Sequence, residues 1–75
     1  MVLDLNVIVD VDGFTSEVPS IKGCESWASN EEEAFVNAVE LLRYYLDLSD
    51  DTEILVDKAG RTRKKFIYKL VFDKE

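Results

Sequence analysis

The stretch Leu3-Asp-Leu-Asn-Val-Ile-Val-Asp-Val-Asp-Gly-Phe-Thr-Ser-Glu-Val-Pro19 decides the fold. From residue 3 to residue 11 every second residue is apolar, which is typical of a strand with one buried face. The dipeptide Asp12-Gly13 predicts a two-residue type I′ turn, because both residues tolerate a positive φ. With that turn at the tip of a hairpin, Val9 would lie opposite Ser16.

A helix is predicted after a short third strand at residues 24–29. Asn30 precedes three glutamates, so it is predicted to cap the helix, and Glu33 is predicted to reach back to the Asn30 amide. Eight residues share one apolar arc of this helix: Ala34, Phe35, Ala38, Val39, Leu41, Leu42, Tyr45 and Leu46. Val36 and Tyr44 point away from the arc and are either ordinary exposed residues or part of a contact surface.

Two more strands are predicted at residues 52–56 and 63–73, with a turn around Gly60 between them. The last strand has apolar residues on both faces, which predicts that it is covered on both sides or pairs with a second copy in a homodimer. Residues 1–75 are therefore predicted to form one α+β domain in the order β-β-β-α-β-β. Its two layers would be an antiparallel sheet of four to five strands and one helix packed on one face.

Composition excludes several classes of catalyst. The 75 residues include no histidine, which removes the commonest general base and the commonest metal-binding imidazole. Cys24 is the only cysteine, so an internal disulfide and a thiolate zinc site are excluded, and a reducing cytoplasmic location is expected. No apolar run approaches the roughly 20 residues that span a bilayer, and no secretory signal is recognisable. We expect a non-catalytic protein without cofactor or metal.

The charge is divided between two parts of the chain. Residues 1–57 hold fourteen acids and two bases, whereas residues 58–75 hold seven bases and two acids. Their net charges are −12 and +5. An acidic body repels a nucleic-acid backbone and suits a basic protein partner.

The pattern of the first half of the chain resembles the N-terminal domain of HicB-type antitoxins. In that family an Asp-Gly hairpin leads to Val-Pro-x-x-x-Gly-Cys, and Gly-Asp-Thr-x-Glu-Glu-Ala opens the helix. The matching residues are Gly13, Val18, Pro19, Gly23, Cys24, Glu32, Glu33 and Ala34. Residues 28–30 depart from the Gly-Asp-Thr, although Asn30 keeps the capping chemistry.

The resemblance covers roughly residues 5–47 and implies a protein that binds and blocks a small basic RNA-cleaving toxin of the HicA type. Many members continue into a DNA-binding module, whereas this sequence continues in a β-pattern, so the resemblance implies a stand-alone domain. The residues that carry the motif have structural explanations in turns, caps and packing. This structural set is Asp12, Gly13, Pro19, Gly23, Cys24, Asn30, Glu33 and Ala34.

Other residues are candidates for contact with a partner: Trp27, Val36, Tyr44, Arg63 and Lys65. Trp27 is expected in the core, with a partner contact as the alternative. The basic run 61–65 with neighbouring aromatic residues could instead bind nucleic acid. A metal-dependent nuclease related to the ribonuclease H fold would need converging carboxylates. The best available set is Asp10, Asp12, Glu33 and Asp57.

Overall fold

In the computed structural model, which describes residues 1–73, five strands and one helix follow the predicted order. The elements are β1 (Val2–Val9), β2 (Phe14–Glu17), β3 (Glu25–Ala28), α1 (Glu31–Tyr45), β4 (Leu55–Arg61) and β5 (Lys65–Val71). All five strands form one antiparallel sheet in the order β3-β2-β1-β5-β4. The predicted α+β class, with two layers and one helix on one face, is confirmed.

The first hairpin differs from its prediction by a register shift of two residues. Val9 lies opposite Phe14, whereas the two-residue turn would have placed it opposite Ser16. The connection spans residues 10–13, and the Asp10 amide donates to the Gly13 carbonyl at 2.8 Å. Gly13 does not have a positive φ, so the proposed type I′ geometry is wrong. A shift of two keeps the parity of the side chains, so the predicted buried face of β1 is still correct.

The second hairpin turns later than predicted. Gly60, expected in a turn, lies inside β4 at a register irregularity between Lys58 and Gly60. Glycine within a strand often marks such a bulge, because it has no side chain to pack. The connection to β5 is made by residues 62–64, where the Thr62 amide donates to the Lys65 carbonyl at 2.8 Å.

The core lies between α1 and one face of the sheet, which we call the helix-side face. Leu5 and Val7 of β1 and Leu70 of β5 are fully buried there. From the helix, Ala34 and Ala38 are fully buried, and their small side chains allow α1 to approach the sheet closely. The backbone of α1 lies over β1, β2 and β3, so β5 and β4 extend beside it without a helix above them.

β5 lies inside the sheet, which corrects the expectation that it pairs with a second copy. One of its edges is hydrogen-bonded to β1 and the other to β4. The predicted alternation is confirmed, since Tyr68 and Leu70 face the core, whereas Ile67 and Val71 lie on the opposite, open face. The edges of the sheet are β3 and β4, and all seven residues of β4 are exposed.

Candidate protein-binding surfaces

Gly13 permits a close approach between β2 and β3. A Cβ atom at this position would lie 2.5 Å from the Ala28 carbonyl oxygen and 2.6 Å from Cζ2 of Trp27. Both separations are far inside van der Waals contact, and the nearest atom belongs to the backbone, which cannot rotate away. Position 13 therefore has no room for a side chain, because β3 lies too close. Asp12 lies exposed at the turn.

The turn from Pro19 to Cys24 is held by three backbone hydrogen bonds of 2.9–3.1 Å. Gly23 has φ 84°, in the left-handed region that favours glycine. Cys24 is 2% exposed, and its thiol donates to the Ala38 carbonyl of α1 at 3.9 Å. Burial raises the pKa of the Cys24 thiol, and this favours the unreactive protonated form. The buried Cys24 thus joins this turn to the helix.

The start of α1 follows the predicted capping in one of its two hydrogen bonds. Oδ1 of Asn30 accepts from the Glu33 amide at 2.8 Å. The reciprocal bond from the Glu33 carboxylate to the Asn30 amide is not formed within residues 1–73, and the Glu33 side chain is exposed. Ala34 is fully buried against the sheet.

The predicted partner-contact residues are divided between different surfaces. Trp27 is 51% exposed on the open face, which corrects its expected core position. It begins a cross-strand row that continues through Thr15 and Ile8 to Lys65. Arg63 is exposed in the turn between β4 and β5. One surface thus holds both Trp27 and Lys65.

The other two candidates lie on the solvent-facing side of α1. Val36 is 44% exposed and Tyr44 is 79% exposed. Tyr44 borders a shallow depression of about 510 Å³ together with Glu40, Asp47 and Asp50. We call these four residues the acidic helix end. Arg43 also lines the depression, and its guanidinium donates to the Ser49 carbonyl at 3.1 Å. An exposed aromatic side chain among carboxylates can bury its ring against a partner while the carboxylates pair with cations at the rim.

Asp47 holds an unusual backbone conformation at this helix end. Its φ is 53°, the one positive value outside glycine within residues 1–73. Its amide donates to the Tyr44 carbonyl at 3.2 Å, and the Leu48 amide donates to the Arg43 carbonyl at 2.9 Å. This pair of bonds is the Schellman motif, whose left-handed position is usually glycine. Aspartate there is less favourable, because its charge also lies at the negative end of the helix dipole.

A groove runs between the first half of α1 and the strands β4 and β5. One part, about 600 Å³, is lined by Asn30, Glu31, Glu32, Phe35, Val56 and Tyr68. The rings of Phe35 and Tyr68 lie 4.8 Å apart, and the Tyr68 hydroxyl donates to Oε1 of Glu31 at 2.7 Å. Burial, followed by the hydrogen bond and the negative charge of Glu31, raises the pKa of Tyr68 to about 12.

Two cations of β4 cover the aromatic floor of this groove. Nζ of Lys58 lies 6.0 Å from the Tyr68 ring centroid, and the Arg61 guanidinium lies 5.1 Å from that of Phe66. Tyr68 is 6% exposed, so its ring is not available to stack on a nucleic-acid base. This arrangement could not be predicted from the sequence, because the bulge between Lys58 and Gly60 determines on which face of β4 Arg61 lies.

The carboxylates proposed for a metal nuclease are not brought together. Asp10 and Asp12 lie in the connection between β1 and β2, Glu33 begins α1, and Asp57 lies on the edge strand β4. In the described part of the chain, no three His, Cys, Asp or Glu side chains are arranged to hold a metal ion.

No helix within residues 1–73 is long and apolar enough to cross a membrane. Comparison of the sequence and the structure with known proteins identifies no relative. No protein-family model, no curated protein and no solved structure matches the chain.

The acidic helix end includes three residues, Glu40, Asp47 and Asp50, that the sequence interpretation did not single out, and the most unusual of them is Asp47. The positive φ of Asp47 could not be predicted from the sequence, because a Schellman motif is usually recognised by a glycine at this position, and this chain has an aspartate there.

Proposed function

We propose that this protein is a non-catalytic, antitoxin-like binding module that sequesters a small basic RNA-cleaving protein of the HicA type. The observation that carries the proposal is the acidic helix end, where Tyr44 is 79% exposed beside Glu40, Asp47 and Asp50. The resemblance of residues 5–47 to the HicB pattern supplies the class of partner. Such a protein would act in the cytoplasm, where its partner meets RNA.

The conformation of Asp47 supports a role in binding. A left-handed aspartate at a helix C-terminus is less stable than glycine would be, and strained residues of this kind concentrate at functional sites. The Asp47 carboxylate lies where a cationic side chain of a basic partner could pair with it. Such a pair chiefly accelerates association and selects partners of the right charge.

Exposed aromatic residues on two surfaces allow the binding site to be located. The protein would be co-expressed with a HicA-type toxin encoded beside its gene, and rescue of growth and co-purification would be measured. We expect Tyr44→Ala and Asp47→Asn to weaken co-purification by at least about tenfold, as for a central aromatic anchor and a paired charge. Trp27→Ala and Glu25→Gln, matched changes on the open face, are expected to leave it unchanged.

Failure of the native protein to rescue growth and to co-purify would overturn the antitoxin proposal. Loss of binding in the Trp27→Ala variant, with Tyr44→Ala unaffected, would move the binding site to the open face and refute the assignment to the helix end.

A further inference from the structure

The open face of the sheet carries exposed apolar side chains at both of its ends. No helix or strand within residues 1–73 packs on this face, because α1 lies on the other one. Val2, Val71 and Leu55 lie side by side across β1, β5 and β4 at one end. Val2 is 59% exposed and Leu55 is 58% exposed, while Trp27 of β3 is 51% exposed near the other end. A second apolar layer over this face would remove these side chains from water and stabilise the fold.

The polar side chains at the centre of the open face have partners within the chain. Asp4 forms an ion pair with Lys69, and Nδ2 of Asn6 donates to Oε2 of Glu17 at 3.1 Å. Asn6 is only 5% exposed. Covering this part of the face therefore leaves few polar groups without a hydrogen-bond or ionic partner.

The open face carries little of the negative charge of the chain. Its charged side chains are Asp4, Glu17, Glu25, Asp57, Lys65 and Lys69. Four acids and two bases give this face a net charge of −2, against −7 for the whole chain. Both lysines lie on β5, to one side of the central strand β1, and Lys69 lies between Asp4 and Asp57. Glu17 and Glu25 lie on β2 and β3, to the other side of β1, so the two halves of the face differ in charge.

The order of the strands makes this face complementary to a second copy of itself. β1 is the central strand, with β2 on one side and β5 on the other. When two sheets face each other about a two-fold axis parallel to β1, β2 of each copy lies over β5 of the other. Glu17 and Ile67 both lie opposite Asn6 of β1. Glu17 of one copy would therefore lie over Ile67 of the other, between Lys65 and Lys69.

We propose that two copies of this protein associate through their open faces, about a two-fold axis parallel to β1. The result is a sandwich of two aligned sheets with both helices on the outside. Val2 and Ile8 would meet their counterparts along the axis, and Trp27 would lie over β4 of the other copy. β5 would then be covered on both faces, which agrees with the apolar residues on both faces of its sequence.

The area of the face predicts a dimer of modest affinity. At ordinary strand spacing and rise, the five strands cover about 500 Å² in each copy. The interface would then bury about 1,000 Å² in total, which is near the lower limit for a specific protein–protein interface. We therefore expect a reversible equilibrium between monomer and dimer at micromolar concentration.

This association is independent of the proposed toxin binding, because the protein alone forms it. The acidic helix end lies on the solvent-facing side of α1 and stays exposed in the dimer. The arrangement also differs from strand pairing by β5, whose two edges are already occupied.

Charge reversal at one contact tests the proposal. The first variant carries Glu17→Lys, the second carries Lys65→Glu, and the third carries both changes and keeps the native net charge of −7. Glu33→Lys makes the same charge change as the first variant on the exposed side of α1 and is its control. Sedimentation equilibrium from micromolar to millimolar concentration measures the dimer dissociation constant, and circular dichroism checks that each variant is folded.

We expect the native chain and the Glu33→Lys control to form dimers with similar dissociation constants. Either single reversal should raise the constant at least about tenfold, because like charges then face each other. The double variant should return to a value near that of the native chain. Mixing the two single variants should produce a dimer with one copy of each, and an affinity tag on one of them detects it by co-purification of the other.

Truncation of the exposed tryptophan tests the apolar part of the interface. Trp27→Ala should also raise the dissociation constant at least about tenfold, as for an aromatic anchor. Tyr44→Ala removes an exposed aromatic side chain from the other side of the molecule, so it should leave dimer formation unchanged. In contrast, the same Tyr44→Ala variant should lose toxin binding, which separates this proposal from the proposed function.

A native chain that stays monomeric at millimolar concentration would overturn the proposal. A native dimer that neither Glu17→Lys nor Lys65→Glu weakens would overturn it as well. So would two weakened single variants that fail to associate when mixed, because the two charges must face each other across the axis.

Discussion

Replacing Asp47 with glycine is expected to stabilise the folded protein. Asp47 has φ 53° at the left-handed position of the Schellman motif that ends α1. The left-handed conformation costs an L-residue roughly 1–2 kcal/mol, somewhat less for aspartate, whereas glycine adopts it freely. A carboxylate near a helix C-terminus is unfavourable by a further 0.3–1 kcal/mol, roughly.

Two terms therefore favour glycine, and one opposes it. The more flexible unfolded chain of the glycine variant offsets roughly 0.5–1 kcal/mol of the gain. The net expectation is an increase of about 1 kcal/mol in the free energy of unfolding. For a domain of this size, that corresponds to a rise of about 4–8 °C in Tm.

Two further substitutions distinguish the cost of the left-handed backbone conformation from the cost of the carboxylate charge. Asp47→Asn removes the charge and tolerates the left-handed conformation, so its stability should lie between those of the native and glycine chains. Asp47→Ala also removes the charge but keeps the strained backbone, and after the flexibility of the unfolded glycine chain is subtracted it should be less stable than the glycine variant by about 1 kcal/mol.

Urea unfolding followed by far-ultraviolet circular dichroism would measure the series. The reasoning is refuted if Asp47→Ala is as stable as Asp47→Gly, because the backbone conformation would then carry no cost. The proposed function adds that Asp47→Gly, although more stable, should bind the basic partner less tightly than the native chain.

Three other expectations concern stability. Gly13→Ala should destabilise the fold by about 1–3 kcal/mol, as overpacking does, because its Cβ would meet the Ala28 carbonyl; thermal unfolding measures this. Gly60→Ala is the control, since its Cβ would lie 3.8 Å from Cδ1 of Ile67, and an equal loss in both variants would contradict the explanation. Asn30→Ala removes the side chain that caps α1, and it should lower the free energy of unfolding by about 1 kcal/mol. Urea titration measures this value. An unchanged value would show that the hydrogen bond from the Glu33 amide to Asn30 does not stabilise the fold. The raised pKa of Tyr68, about 12 against an ordinary value of 10.0, means that the folded state favours the neutral phenol. The contribution of Tyr68 to stability should therefore be constant below pH 10 and be lost between about pH 10 and 12, and Tyr68→Phe should remove this part of the fall when unfolding is followed across that range.

The elements with strong local signals could be predicted from the sequence. Alternation in β1 gave its buried face, and Asn30 with the following glutamates gave the first residue of α1. Both signals arise from residues close together in the chain. Burial of Cys24 was predicted correctly as well, because a cysteine without a nearby histidine has no obvious means of activation.

The errors arose where a distant part of the chain determines local geometry. Gly13 suggested a tight turn, whereas its reason lies in the approach of Trp27 and Ala28 from β3. Gly60 suggested a turn, whereas it lies at a bulge in β4. Trp27 was expected in the core, whereas it is 51% exposed, because α1 packs on the opposite face of the sheet.

The irregularity at Lys58 and Gly60 has a further consequence for how the protein behaves at high concentration. β4 exposes an unpaired edge, and a straight edge of seven residues would be a template for the endless addition of strands from other molecules. The bulge twists this edge, and Lys58 places a charge on it, while the opposite edge, β3, has only four residues. Neither border of the sheet offers a long flat strand, so the fold resists fibrous aggregation, while the open face of a single chain stays exposed to solvent.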